Sequence, residues 1–190
     1  GLSAWVLRFW PGSDEPAEKP LEPIFQHAVD HVIVGGFGRV GQTLAELLPA
    51  NGIPYVGIDG DAEVVRAQRL EGGNVIFGDC TSADILQKCH IESARLAILT
   101  FRSSELAKRT ISRIRDGGIS TPIIVRCYEN TDFDELIALG ADRVVPEMLE
   151  ASLTISAHVL SFLGLEEIDI DRQINELRKP DNRLEARENL

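Results

Sequence analysis

Gly36-x-Gly38-x-x-Gly41, with Arg39 set inside it, is the spacing in this chain best suited to chemistry, and that chemistry is anion binding. Gly36 permits a tight turn, Gly38 lets a phosphate approach the backbone, and Gly41 lets the following helix pack onto the preceding strand. The first N–H groups of a helix have no intrahelical acceptor and bind phosphate readily. Arg39 adds a fixed guanidinium at the same place. Phe37 and Val40, at the variable positions, belong to the same candidate cofactor-binding turn. Asp59 lies 21 residues after Gly38 (59 − 38), near the place where a carboxylate accepts from ribose hydroxyls. A turn residue in Asp-Gly is the competing reading, and the coincidence of strand, distance and motif favours the ribose. A carboxylate there repels a 2′-phosphate, which argues against NADP.

Further polar residues sit where apolar runs end. Asp79, followed by Cys80, is either an adenosine-side contact or a turn aspartate. Thr100 is either a ligand contact or a loop cap. Arg126 is either a second phosphate arginine or one arm of an ion pair with Glu129 or Asp79, since an arginine at a buried strand end needs an anion. Cys80 and Cys127 are better read as small buried residues than as a redox pair. No residue stands out to move a proton, and the serines near Ser152 have no triad partner.

These positions need strands that end on one edge. His31–Gly35 is a short buried strand, and residues 42–48 continue from the glycine turn with helical spacing. The pattern repeats: strands at Tyr55–Ile58, Asn74–Phe77, Leu96–Thr100, Ile123–Cys127 and Arg143–Val145, with helices at about Ala62–Glu71, Ala83–Cys89, Ser103–Asp116 and Thr131 or Asp132 to Leu139. Such alternation predicts an α/β, Rossmann-like, doubly wound parallel sheet of six strands in the order 3-2-1-4-5-6. Ligands of such sheets bind at the carboxyl edge, where Asp59, Asp79, Thr100 and Arg126 all fall.

The flanks differ from this core. Residues 1–10, GLSAWVLRFW, resemble the water-side end of a membrane helix, with an amphipathic arm as the alternative. The missing initial methionine fits a piece of something longer. Residues 11–26 form an acidic linker carrying four prolines. The nucleotide-binding unit spans 27–146. Glu147–Leu165 reads as one helix with two apolar faces, one for the sheet unit and one for a second copy of the chain. Residues 166–190 form a charged tail with a short helix near Asp171–Arg178.

Bulk composition sets limits on function. The 190 residues carry a formal charge of −11, against a nucleic-acid partner, and 44% hydrophobic content suffices for a packed core. Three scattered cysteines make neither a disulfide framework nor a zinc site, and the four histidines lack metal-ligand spacing.

HVIVGGFGRVG, YVGIDGD, VIFGDCT, LAILT, PIIVRCYE and RVVPEMLEASL, in this order, resemble the RCK N-terminal (TrkA-N) domain, in the version found at the C-terminus of Kef-type potassium:proton antiporters of the monovalent cation:proton antiporter-2 family. The likeness covers about His27–Leu165. It implies a regulatory, non-enzymatic domain at the cytoplasmic face of the inner membrane. Such a domain binds AMP, ADP, ATP or NAD(H), forms a homodimer through its last helix and gates an antiporter domain upstream in the same chain. Gly36, Gly38, Arg39 and Gly41 then match the phosphate turn, Asp59 the ribose carboxylate, Asp79 the adenosine-side aspartate and Arg126 the second phosphate arginine. In some relatives the residue matching Glu147 helps hold a divalent cation. The rival from another class is an NAD-binding oxidoreductase subunit whose catalytic part is on another chain. A third reading is an assembly domain with a degenerate pocket.

Overall fold

The computed structural model describes residues 29–128 and 132–178. The apolar arm, the proline-rich linker, the domain start near His27, Glu129, Thr131 and the end of the tail lie outside the described residues. Six strands, β1 (Val32–Gly35), β2 (Tyr55–Asp59), β3 (Val75–Phe77), β4 (Leu96–Leu99), β5 (Ile123–Cys127) and β6 (Arg143–Pro146), pair in parallel in the order β3-β2-β1-β4-β5-β6. The predicted sheet and its order are those observed, with strand ends differing by one residue. β1 pairs with β2 on one side and β4 on the other, Gly35 lying opposite both Ile58 and Leu99. The winding reverses there, opening a crevice at the carboxyl edge.

The helices are α1 (Arg39–Ala50), α2 (Ala62–Leu70), α3 (Ala83–Lys88), α4 (Ser104–Asp116), α5 (Phe133–Ala138), α6 (Glu147–Phe162) and α7 (Glu167–Arg178). Side chains alternate across a strand, so each strand serves two cores. One face carries Ile33, Val56, Ile58, Ala97, Leu99, Ile123 and Val125 against α3, α4 and α5 through Leu86, Ile111, Ile114 and Leu136. The other carries Val32, Val34, Tyr55 and Val75 against α1 and α2. Phe37, from the glycine turn, is fully buried on this second face and stacks on Tyr55 with ring centroids 6.1 Å apart. It fits because Gly57 has no side chain: a Cβ there would meet the Phe37 ring at 2.4 Å.

The C-terminal part departs from expectation. α6 stops at Phe162 because Gly164 takes φ +85°, with Gly164 N–H donating to Ser161 O at 3.0 Å and Leu165 N–H to Leu160 O at 3.2 Å. This is a Schellman stop, which the Leu-Gly-Leu sequence signals. The tail then forms α7, longer than the Asp171–Arg178 helix expected. Ile170 and Ile174 of α7 close with Leu153 of α6 into a small core of their own. One face of α6, expected from sequence to meet the sheet unit, is covered by the tail instead. Arg178 adds a fork onto Glu150, with Nε at 3.0 Å and Nη2 at 2.9 Å from Oε2. Met148, Ile155, Val159 and Phe162 stay exposed, Phe162 at 94%.

His31, at the opposite edge from the crevice, is buried and donates Nε2–H to Cys89 O at 2.8 Å. Burial lowers its pKa from the ordinary 6.5 and outweighs the bond to Cys89, which raises it. A folded-state pKa below the unfolded one means the unfolded chain takes up the proton first. This contribution is complete above pH 6.5 and declines as pH falls below it. The melting temperature should therefore drop between pH 7.5 and 5.5, and His31→Gln should make that drop shallower. An unchanged slope in the variant would rule His31 out as the group responsible.

Candidate functional site

The site begins where β1 runs out. Gly36 takes φ +88°, and its N–H donates to Ile58 O at 2.9 Å, which locks the turn to β2. A Cβ on Gly36 would press on Phe101 at 3.0 Å and Thr100 Oγ1 at 3.1 Å. Gly41 is required for a different reason: its Cβ would lie 2.4 Å from Gly36 O, so only glycine lets α1 sit on the turn. Gly38 differs from both. It has extended backbone at φ −70°, and a Cβ there would meet nothing within 4 Å. Neither conformation nor protein packing asks for glycine at 38. The space in front of it is open, as the close approach of a phosphate to the α1 start requires. The first α1 backbone bond is Gln42 N–H to Gly38 O at 2.9 Å, leaving the N–H groups of residues 39–41 without an intrahelical acceptor.

Around this turn lies an open cleft of about 540 Å³. The β1–α1 turn supplies Gly36, Phe37, Gly38, Arg39, Val40 and Thr43; β2 supplies Asp59. The β4–α4 connection supplies Thr100, Phe101, Arg102, Ser103 and Leu106, and Arg126 and Glu147 come from β5 and the α6 start. The volume falls within the range of small-molecule sites. Ser103 caps α4 by accepting Leu106 N–H at 3.2 Å, so a second helix starts at the cleft.

Asp59 takes the turn role considered for it and also lines the cleft. Its Oδ2 accepts Phe37 N–H at 2.6 Å and its Oδ1 accepts Asp61 N–H at 2.8 Å, while the carboxylate also lines the cleft. It braces the glycine turn from β2. Thr100 is buried, and its hydroxyl donates to Gly36 O at 2.7 Å, so it too secures the turn. Phe37 contributes its backbone, the side chain being core.

Arg126 has an acid beside it, and that acid is Glu147. Nε and Nη2 reach Glu147 Oε2 at 2.6 and 2.5 Å, and Nη1 donates to Thr100 O at 3.3 Å. Arg39 and Arg102 line the cleft with no acidic partner among the described residues. Three arginines thus face two carboxylates in a chain of net charge −11, making the cleft locally cationic.

Gly41, Asp79 and Cys80 are not among the residues lining the cleft. Asp79 accepts Thr81 N–H and Thr81 Oγ1–H, both at 2.8 Å, and those bonds hold its carboxyl below the usual carboxylate range. It closes the loop after β3. Cys80 is buried, with Sγ 3.3 Å from where a Gly35 Cβ would stand, and burial pushes the thiol pKa up. Burial also pushes Cys89 up to about 12. Such thiols are poor nucleophiles, which leaves the packing role for Cys80. No three His, Cys, Asp or Glu converge to hold a metal ion among the described residues. Sequence reasoning missed Thr43, Phe101, Arg102, Ser103 and Leu106. The available signal was Arg-Ser directly after a strand end, with Ser as the helix cap.

The TrkA-N domain family matches residues 32–147, from the first strand to the start of α6. A putative K(+) efflux antiporter KefB of Alkalimonas amylolytica is 33% identical over 178 residues, 93% of this chain; the chain spans 27% of that relative's length. Among solved structures, the TrkA-N domain of the inner membrane protein ybaL from Escherichia coli is 29% identical with a TM-score of 0.63, covering 67% of this chain and 95% of that one. The Shewanella denitrificans Kef CTD in AMP-bound form superposes with a TM-score of 0.69 at 20% identity, covering 80% of this chain and 92% of that one, and so bears on the fold alone. Strand order, glycine turn and family match agree: the chain belongs to the TrkA-N domain family.

Proposed function

We propose that this chain is a nucleotide-sensing regulatory unit of a monovalent cation:proton antiporter, of the potassium-efflux kind, and that it binds without catalysing. The observation that carries the reading is the open face of Gly38 beside two arginines, Arg39 and Arg102, that have no acidic partner among the described residues of an otherwise acidic chain. That arrangement suits a phosphate at the α1 start, with Asp59 beside it for a ribose. An adenine nucleotide, such as the AMP named for the Shewanella Kef structure of like fold, meets this requirement, and NAD(H) meets it equally. The relatives are K(+) efflux antiporters several times longer than this chain, which supports an upstream membrane domain joined through residues 11–26. Among the described residues no helix is long and apolar enough to cross a membrane. The unit works at the cytoplasmic face.

Two copies pair through the exposed face of α6, where Met148, Ile155, Val159 and Phe162 lie at helical spacing. Nucleotide binding favours one of two dimer arrangements and so biases the ion pathway. The shift is bounded by the ligand's difference in affinity for the two arrangements. The test is a thermal-shift screen with AMP, ADP, ATP, NAD⁺ and NADH, with mass measured by light scattering in the same samples. At least one nucleotide should raise the melting temperature by several degrees, as a ligand at ~100 times its Kd contributes ~2.7 kcal/mol. The mass should be that of two chains. No shift with any of the five would end the sensor reading, and a one-chain mass would end the dimer.

A further inference from the structure

The cleft already contains an anion of its own. Glu147, the first residue of α6, places one carboxylate oxygen on two N–H groups of Arg126, while the third bonded nitrogen of that guanidinium faces Thr100 O. The pair is half-sheltered, with the Arg126 side chain 16% exposed and that of Glu147 38% exposed. The other lining carboxylate, Asp59, is engaged by backbone N–H groups of the turn. Arg39 and Arg102 therefore stand ready for an incoming anion, whereas Arg126 is neutralised. A guanidinium fork binds carboxylate and phosphate with the same N–H groups, so the two compete.

We infer that Glu147 is a specificity-determining residue, an internal competitor for the anion position on Arg126. A ligand with one phosphate settles at the α1 start and Arg39 and leaves the pair intact. A second phosphate reaches Arg126 by displacing Glu147. Glu147 thereby penalises diphosphate-bearing ligands relative to monophosphates, and its displacement frees the first residue of α6. This rests on the preceding reading only in that the ligand is a nucleotide; the competition itself concerns phosphate groups.

The experiment is calorimetric titration of the 190-residue chain and its Glu147→Gln variant with AMP, ADP and inorganic pyrophosphate, in EDTA and again in Mg²⁺. Loss of the competing charge should tighten ADP and pyrophosphate by ~10-fold and AMP by less than ~2-fold. An Arg126→Gln, Glu147→Gln double variant should lose that gain. A Glu147→Asp variant, which keeps the charge on a shorter arm, should fall between, and melting curves identify any variant that fails to fold. An unchanged ADP-to-AMP ratio in Glu147→Gln overturns the inference. So does weaker binding confined to Mg²⁺ buffer, which would make Glu147 a cation-holding residue. Nucleotides binding both proteins with no change of ratio leaves the sensor reading standing without the competition. Pyrophosphate tightening with no nucleotide binding leaves the competition standing without the sensor.

Discussion

Nucleotide affinity falls ~10- to 100-fold when Arg39 is replaced by alanine, while the ligand-free melting temperature stays within about a degree. The second half of that expectation follows from placement. Arg39 is exposed at the first position of α1 and has no acidic partner among the described residues, so little in the unliganded fold depends on it. The first half follows from its position beside the open face of Gly38, where a charge-assisted bond would form only with ligand present. Arg39→Lys should recover part of the loss, since an ammonium keeps the charge without the planar fork. Affinity within twofold of the parent in Arg39→Ala would move the anion away from the α1 start. Lost nucleotide binding together with intact pairing in Arg39→Ala would exclude an assembly domain with a degenerate pocket.

Phe37→Ala is the substitution expected to destabilise most, by ~3–5 kcal/mol, or ~6–20 °C in melting temperature. The ring is fully buried, stacks on Tyr55 and occupies the space over Gly57. Removing it opens a cavity directly under the glycine turn, so ligand affinity should fall with stability. The reciprocal change is informative. Gly57→Ala places a Cβ 2.4 Å from the ring and should cost ~1–3 kcal/mol through overpacking. In a Phe37→Ala background that clash is gone and only Val75 Cγ2 stays close, 3.0 Å from the added Cβ, so Gly57→Ala should cost markedly less than in the parent. Chemical denaturation of the four proteins measures the coupling; additive effects would show that the ring and the glycine are not matched.

The sheet was legible in the sequence for a local reason. The strands are short apolar runs, the first three followed by glycine or Asp-Gly, and most helices carry a glycine, serine or aspartate at an end, so element type and order needed no distant information. The glycine turn was legible because Gly36 and Gly41 answer backbone requirements. The misses are contacts that local pattern does not encode. The acid beside Arg126 was not found in the sequence, because Glu147 stands 21 residues away (147 − 126) on another element. Asp79 follows its strand as Asp59 does, yet β3 is an edge strand, and the Asp79 carboxylate is turned into its own loop by Thr81. The tail's charge hid Ile170 and Ile174, whose four-residue spacing matters only once Leu153 is known to face them.

That small core has a bearing on assembly symmetry. With α7 in place, α6 has one face covered and one bare, and two copies meeting bare face to bare face form a closed pair related by a two-fold axis. A chain cut after Leu165 would lose Ile170 and Ile174 and leave Leu153 uncovered on the other side of the same helix. Each copy would then offer two adhesive faces, and head-to-tail contacts between unlike faces need not close. On the proposed pairing, α7 would act as a stopper that limits association to pairs where the bare α6 would permit filaments.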